Sequence, residues 1–192
     1  MTQFDRDIAV TKICEEHYSV TISETWNVII GPNGGYIAAI ILNGMKSELG
    51  NVQTRSITFH FLSASIPGDA ELFVKVEKKG RSLSTCNARL VQGEKTIAVA
   101  IATFATKRSE FGFRDFEAPE LPFPEEIESS KRMNSELVSH APFRDHYDQR
   151  LAIGKIPPEI GENGRVGGWT RFRQQRIFDD LAVVAISDPW FP

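Results

Sequence analysis

One segment constrains this chain more than any other: a mostly apolar stretch opened by a cluster of backbone breakers. Gly31-Pro-Asn-Gly-Gly35 interrupts the chain. Tyr36 to Leu49 follows, apolar on nearly every side for two turns and then amphipathic. Gly and Pro punctuate regular structure, and a segment apolar all round must be covered on most of its faces. Gly50 stands where a glycine commonly ends a helix. The spacing therefore predicts a buried helix over Tyr36–Leu49.

The chain beyond Gly50 decides how that helix is covered. Four strand-like runs come next with no further helix between them: Ser56–Leu62, Glu71–Lys78, Ser82–Val91 and Thr96–Thr106. Ile57, Phe59 and Phe61 share one face of the first, and Leu72, Val74 and Val76 one face of the second, the period-2 pattern of half-buried strands. Gln92-Gly93-Glu94 reads as a hairpin turn, and Pro67-Gly68-Asp69 and Lys79-Gly80 as the other turns. Upstream, His17–Ile22 and Trp26–Ile30 read as two short strands. An antiparallel sheet with one face packed on a long helix satisfies this order, which makes the fold class α+β.

Past Lys107 the character changes. Arg114–Glu128 is acidic and carries Pro119, Pro122 and Pro124, the composition of an extended connection. Then the opening motif recurs: Phe143–Ile153 and Gly167–Gln174 as strands, and Phe178–Asp188 as an apolar helix with acids in its first turn, where the helix dipole favours them. The expected organisation is a first domain over 1–106, a linker over 107–135 and the front of a second, similar domain over 136–192. No sheet follows the second helix, so Leu181, Val184 and Ala185 are expected to need a partner surface. Either a second chain supplies it, giving a homo-oligomer, or the native chain continues past Pro192.

Bulk properties exclude several functions. The 192 residues carry a net charge of −3 without a long basic run, which argues against a nucleic-acid partner. The longest apolar stretch, Tyr36–Leu42, is too short to span a bilayer. Met1–Asp7 has two acids and no apolar h-region, so no signal peptide is expected and the cytoplasm is the default compartment. Cys14 and Cys86 read as free thiols. His17, His60, His140 and His146 form no ligand-spaced pair, so neither a metal nor any other cofactor is expected. Phosphate-loop, dinucleotide and serine-hydrolase motifs are absent.

Against that background, three stretches carry a resemblance. Gly31-Pro-Asn-Gly-Gly-Tyr36 opens a buried helix; His60-Phe-Leu-Ser-Ala-Ser-Ile-Pro-Gly68 precedes Lys79-Gly-Arg-Ser-Leu-Ser-Thr-Cys-Asn-Ala-Arg89; Gly164–Asp188 pairs an aromatic, Arg-bearing strand with an apolar helix ending in Asp. In this order they resemble the double hot-dog acyl-CoA thioesterases of the acyl-CoA thioesterase II type. The resemblance implies a hot-dog fold, an antiparallel sheet wrapped around a long helix, with the second copy incomplete in this chain. It implies hydrolysis of acyl-CoA to a free carboxylic (fatty) acid and CoA. It implies a catalytic role for Asp188, helped in the family by a Gln and a Ser or Thr from strands beyond Pro192.

The chemistry at these positions fits. A helix start offers unpaired N–H groups and a positive dipole end to a thioester carbonyl, and Gly34 and Gly35 let a substrate approach the backbone closely. Asp188 shares a helical stripe with Leu181, Val184 and Ala185, and a carboxylate there is expected to be paired or perturbed; Pro189 directly after it disfavours helical geometry and offers the helix exit as the other place for this side chain. It could orient water as a general base or attack as a nucleophile. Asn33 either caps the helix or bonds the thioester, and capping is preferred. Asn33, Gly34, Gly35 and Tyr36 form the expected substrate-binding segment. Arg81 and Ser82 are added where the family binds CoA or opens its tunnel, although an Arg at a turn is more often only solvated. Asn43 reads as the counterpart of Asp188 on the first helix, keeping only a polar contact. Two other readings stand beside hydrolysis. One is a non-catalytic acyl-CoA-binding or assembly module. The other is an acyl-thioester hydratase, whose Asp-x-Asn-Pro-x-His type motif is not found here.

Overall fold

The computed structural model describes residues 1–50, 52–106, 115–128, 141–155 and 164–190. A short helix α1 (Gln3–Asp7) opens the chain, held by a reciprocal capping box between Thr2 and Asp5. β1 (Val10–Cys14) and β2 (His17–Ile22) form a hairpin. The expected strand at Trp26–Ile30 does not form: Glu24–Trp26 is a single 3₁₀ turn, capped by Ser23, and only an isolated Asn27–Pro32 bridge comes after it. Trp26 is fully buried, stacked between Tyr36 and His146. Packing of one large ring, not a strand face, explains the apolar character of that segment.

α2 (Gly34–Leu49) is the predicted buried helix, two residues longer at its start, and Gly50 ends it at φ 81°. β3 (Gln53–Phe61), β4 (Gly68–Lys79), β5 (Leu83–Gln92) and β6 (Lys95–Ala105) come next, as read from their alternation. With β1 and β2 they make one six-stranded sheet, ordered β1-β2-β4-β5-β6-β3, every neighbouring pair antiparallel. Its inner face presents Leu72 and Val74 of β4, Cys86, Ala88 and Leu90 of β5, and Ala98, Ala100 and Ala102 of β6, all buried. Small residues on β6 and Gly44 on α2 let helix and sheet approach. A Cβ at Gly44 would collide with Leu72 Cδ2. Ile40, Ile41 and Met45 are fully enclosed, and each such side chain contributes about 1.5–3 kcal/mol by leaving water.

β7 (Tyr147–Ile153) and β8 (Gly167–Phe172) form a separate antiparallel pair, and α3 (Asp180–Ile186) comes after them. The apolar stripe of α3 has its cover within the chain: Ala182 and Ala185 are fully buried, and Val184 nearly so, against α2. Of the two covers expected for this stripe, a second chain or a continuation past Pro192, neither is needed for Val184 and Ala185, which α2 of the same chain covers. The helix exposes its opposite side, with Val183 half exposed. Lys46 near the end of α2 pairs with Asp180 at the start of α3 at 2.8 Å. At the other end, a Cβ at Gly35 would collide with the Ala185 carbonyl oxygen. The two helices therefore run antiparallel, and the C-terminal end of α3 meets the N-terminal end of α2.

Candidate active site

Everything at the site depends on that meeting of helix ends. Asn33 is the N-cap of α2; its Oδ1 accepts from the Tyr36 N–H at 3.1 Å, satisfying one of the free donors of the first turn. Capping leaves the other half of the amide free to reach outward. Asn33 Nδ2 donates to the Asp188 backbone carbonyl at 2.8 Å and to Asp188 Oδ2 at 3.2 Å. The same Oδ2 accepts from the Gly35 N–H at 3.1 Å. A carboxylate thus sits on the positive end of α2, held by one backbone and one side-chain donor.

Asp188 reaches this place because α3 stops early. The expected helix through Asp188 ends at Ile186, with Ser187 as its cap. Pro189 disfavours helical geometry at the residue before it, and the Ser187 hydroxyl bonds the Val184 carbonyl at 2.7 Å. Asp188 therefore turns away from the stripe of Leu181 and Val184 and is exposed. Of the two places the sequence offered this carboxylate, the buried stripe and the helix exit before Pro189, it takes the helix exit, open to water. Two residues of β7 steady the turn. Gln149 Nε2 donates to the Pro189 carbonyl at 3.1 Å, and the Tyr147 hydroxyl to the Ala185 carbonyl at 3.4 Å. Burial, and then the nearby charge of Asp188, push the Tyr147 phenol well above its ordinary range, so Tyr147 stays a neutral donor.

Gly34 stands between two cavities. The first, about 240 Å³, is lined by Val28, Ile29, Asn33, Gly34, Ala141, Phe143, Arg144, Asp188, Pro189 and Trp190. The second, about 380 Å³, lies between the start of α2 and the end of β3, with Pro32, Gly34, Ile37, Phe61 and Ser63 among its walls. A Cβ at Gly34 would meet Asp188 Oδ2 at 2.7 Å and Phe61 Cζ at 3.5 Å. Only glycine leaves the carboxylate and the helix start in contact.

The other predicted residues lie elsewhere. Tyr36 is fully buried, its hydroxyl accepting from Ser23 N–H and donating to the Asp7 carbonyl; it braces α1 against α2 and lines neither cavity. Arg81 and Ser82 are exposed in the turn between β4 and β5. The next residue, Leu83, pairs with Ala105, which also pairs with Gln53 just past the end of α2. Arg81 and Ser82 thus stand at the far end of the sheet from Gly34. Asn43 donates to the Ile8 carbonyl at 2.8 Å, the polar contact expected of it. Phe143, Trp190, Tyr147 and Gln149 are functional candidates that the sequence alone did not reveal. Trp190, two residues after Asp188, carried a usable signal; the others come from a 3₁₀ turn and a strand remote in sequence. Among the described residues no group of three His, Cys, Asp or Glu could hold a metal ion.

Comparison with known proteins supplies the relationship. Residues 22–105 match the family model described as the acyl-CoA thioesterase N-terminal domain. That segment is similar to the acyl-CoA thioesterase N-terminal domain. Its domain holds α2, β3, β4, β5 and β6, and so the whole helix start at Asn33–Gly35. A hot-dog-fold protein from Alicyclobacillus acidocaldarius, described as conserved and of unknown function, superposes with a TM-score of 0.89 at 20% identity, covering 100% of this chain and 70% of its own. An acyl-CoA thioesterase II from Mycobacterium marinum gives 0.72 at 17% identity, with 96% of this chain and 68% of its own covered. The TesB protein of Mycobacterium avium subspecies paratuberculosis gives 0.73 at 17%, with the same coverages. Likeness at these identities establishes the fold: α+β, of the hot-dog type. No curated protein matches the sequence significantly.

Proposed function

We propose that this thioesterase-family chain hydrolyses acyl-CoA to a carboxylic acid and CoA, with Asp188 as the catalytic carboxylate. The observation that carries the reading is the seat of Asp188 Oδ2 on the Gly35 N–H, at the start of α2. A carboxylate open to water can take a proton from a water molecule as that water attacks the thioester carbonyl. With the Gly35 N–H held by Asp188, the Gly34 N–H at the same helix start is the donor offered to the carbonyl oxygen as it gains negative charge, and the helix dipole favours that charge. Collapse of the tetrahedral adduct breaks the carbon–sulfur bond, and the thiolate of CoA leaves and takes the proton back from Asp188.

Asn33 acts through Asp188 in this reading, as a positioning residue that also caps the helix. Arg81 and Ser82 would serve CoA only at a distance from Gly34, so they have no part in the chemical step. Residues 1–106 stay one hot-dog domain, 107–135 the connection and 136–192 the front of a second. The test is release of free CoA and of the matching acid from purified protein and acyl-CoAs of several chain lengths, followed by chromatography. Absence of both products from every substrate would leave the non-catalytic acyl-CoA-binding reading in its place.

A further inference from the structure

Leu121-Pro-Phe-Pro-Glu-Glu-Ile127, in the connection between the two halves, lies across the β7–β8 pair. Leu121 and Phe123 each precede a proline, which biases both to extended backbone. Phe123 adopts it at φ −62° and ψ 148°, the polyproline II region. A 3₁₀ turn at Pro124–Glu126 comes next, and the Glu126 carboxylate accepts from the Phe123 N–H at 3.1 Å. No side chain of that turn is buried, and Phe123 is 71% exposed. The segment is seated as a ligand is, not packed as a core element.

The face beneath it is built from cross-strand pairs. Arg150 is opposite Trp169 and Asp148 opposite Arg171, so alternation puts all four on one side of the ribbon. Trp169 Nε1 donates to the Pro122 carbonyl at 2.9 Å. Arg150 Nη1 donates to the Pro124 carbonyl and, at 3.0 Å, to that of Ile127. Asp148 holds both arginines in place, accepting from Arg150 Nη2 at 3.4 Å and from Arg171 Nε at 3.1 Å. The grip is on main-chain carbonyls, beside an aromatic ring, which is how extended proline-bearing segments are read. Charge agrees with it: Glu125 shares a cavity of about 100 Å³ with Arg150, Trp169 and Arg171.

We propose that the outer face of the β7–β8 pair is a binding site for an acidic, proline-bearing extended segment, occupied here by residues 121–127 of the same chain, and that this occupancy holds β7 where it seats Asp188. A two-stranded pair is marginal by itself in water, so its covers decide its position. Its inner face presents Tyr147 and Gln149, whose bonds to the Ala185 and Pro189 carbonyls flank Asp188. Arg150 directly follows Gln149, so the grip on the segment and the hold on the Asp188 turn share one strand. Undocking of the segment loosens that turn. None of this requires turnover of a thioester.

The test empties the site and refills it. Residues 120–127 are replaced by a Gly/Ser stretch of equal length, and a synthetic peptide of residues 117–128 is added in trans, with binding read by calorimetry. Saturable binding to the emptied protein is expected, roughly tenfold or more weaker in the parent, whose site is already filled. Trp169→Phe, which keeps a ring and loses the N–H, is expected to weaken it about fivefold, as for one neutral hydrogen bond. The Gly35 amide, which Asp188 holds, is expected to exchange faster with solvent in the emptied protein and to slow again when peptide is added. No binding by an emptied protein of parental melting temperature, equal binding by the parent, or an affinity unchanged by Trp169→Phe overturns the site. Gly35 exchange that does not respond to the peptide overturns the link to Asp188. Should the emptied protein not fold, Trp169→Phe in the otherwise intact chain decides: proteolytic cleavage within residues 120–127 is expected to speed up about fivefold, and an unchanged rate overturns the proposal.

Discussion

Asn33 and Asp188, 155 residues apart in sequence, are joined twice: one amide nitrogen donates to both the backbone carbonyl and the carboxylate of Asp188. The other end of that amide caps α2. One side chain thereby fixes the start of one helix and the exit of the next, and brings the carboxylate to the helix N-terminus.

The double duty can be separated. Asn33→Ala is expected to lose the cap and the tether together, lowering stability by about 1 kcal/mol and turnover by at least tenfold. Asn33→Asp keeps an acceptor for the Tyr36 N–H but sets a second carboxylate against Asp188. It should retain the melting temperature more closely than Asn33→Ala while losing as much turnover. Thermal melts beside initial rates distinguish the two; equal losses of stability in both variants would contradict the cap, and parental turnover in Asn33→Asp would contradict the tether.

The paired glycines are predicted to fail in different ways. In Gly35→Ala the new methyl collides with the Ala185 carbonyl, so α2 and α3 must part. Overpacking of this kind costs about 1–3 kcal/mol, visible in urea unfolding. In Gly34→Ala the clash is with Asp188 Oδ2 at 2.7 Å, at an exposed side chain that can swing away. Stability should hold and turnover should fall.

At the opposite end of the helix pair, Asp180 accepts from Lys46 Nζ and from both the N–H and hydroxyl of Thr54. Burial pushes its carboxyl up, but the bonds from Lys46 and Thr54 outweigh it and hold the group below its usual value of 3.8. A depressed carboxyl stabilises the fold above its unfolded pKa, and that contribution is lost as pH falls through the folded value. Asp180→Asn is therefore expected to be less stable than the parent at pH 7, with the gap closing below pH ~4. Chemical unfolding across pH 3–7 reads this directly.

His146 stacks on Trp26 at 3.8 Å and bonds the Thr25 carbonyl through Nε2. Burial lowers its pKa below the usual 6.5, against the opposing pull of the Thr25 carbonyl, Asp7 and Asp145. A base with a depressed folded pKa contributes stability that is complete above its unfolded pKa and lost as pH falls below it. Stability is expected to decline from pH 7 to 5, and His146→Phe, which keeps a ring on Trp26, to flatten that decline.

Much of the first 106 residues was legible because their cores are periodic. The alternation of Leu72, Val74 and Val76 and the all-round apolar face of Tyr36–Leu49 each mark an element whose burial is local to its own sequence. The elements that escaped lack that property. α1 is five residues held by a capping box, and β1 is largely exposed, so neither has an apolar stripe to read. Trp26 imitated a strand because one ring buried among Phe4, Tyr36 and His146 looks, in sequence, like part of an apolar run. At the site, Asn33, Gly34, Gly35 and Asp188 were legible as chemistry. Their meeting was not, since it depends on the antiparallel packing of α2 and α3. Tyr36 was adjacent in sequence but turns inward, and Arg81 and Ser82 belong to the other end of the sheet.

Initial rates of CoA release from acyl-CoA by the parent protein and by Asp188→Asn, both with unchanged melting temperatures, test the central claim most directly. Hydrolysis by the parent is predicted, with a loss of about 10²–10⁴-fold in the variant, the range for removing a general base. Equal rates in the two proteins would contradict it.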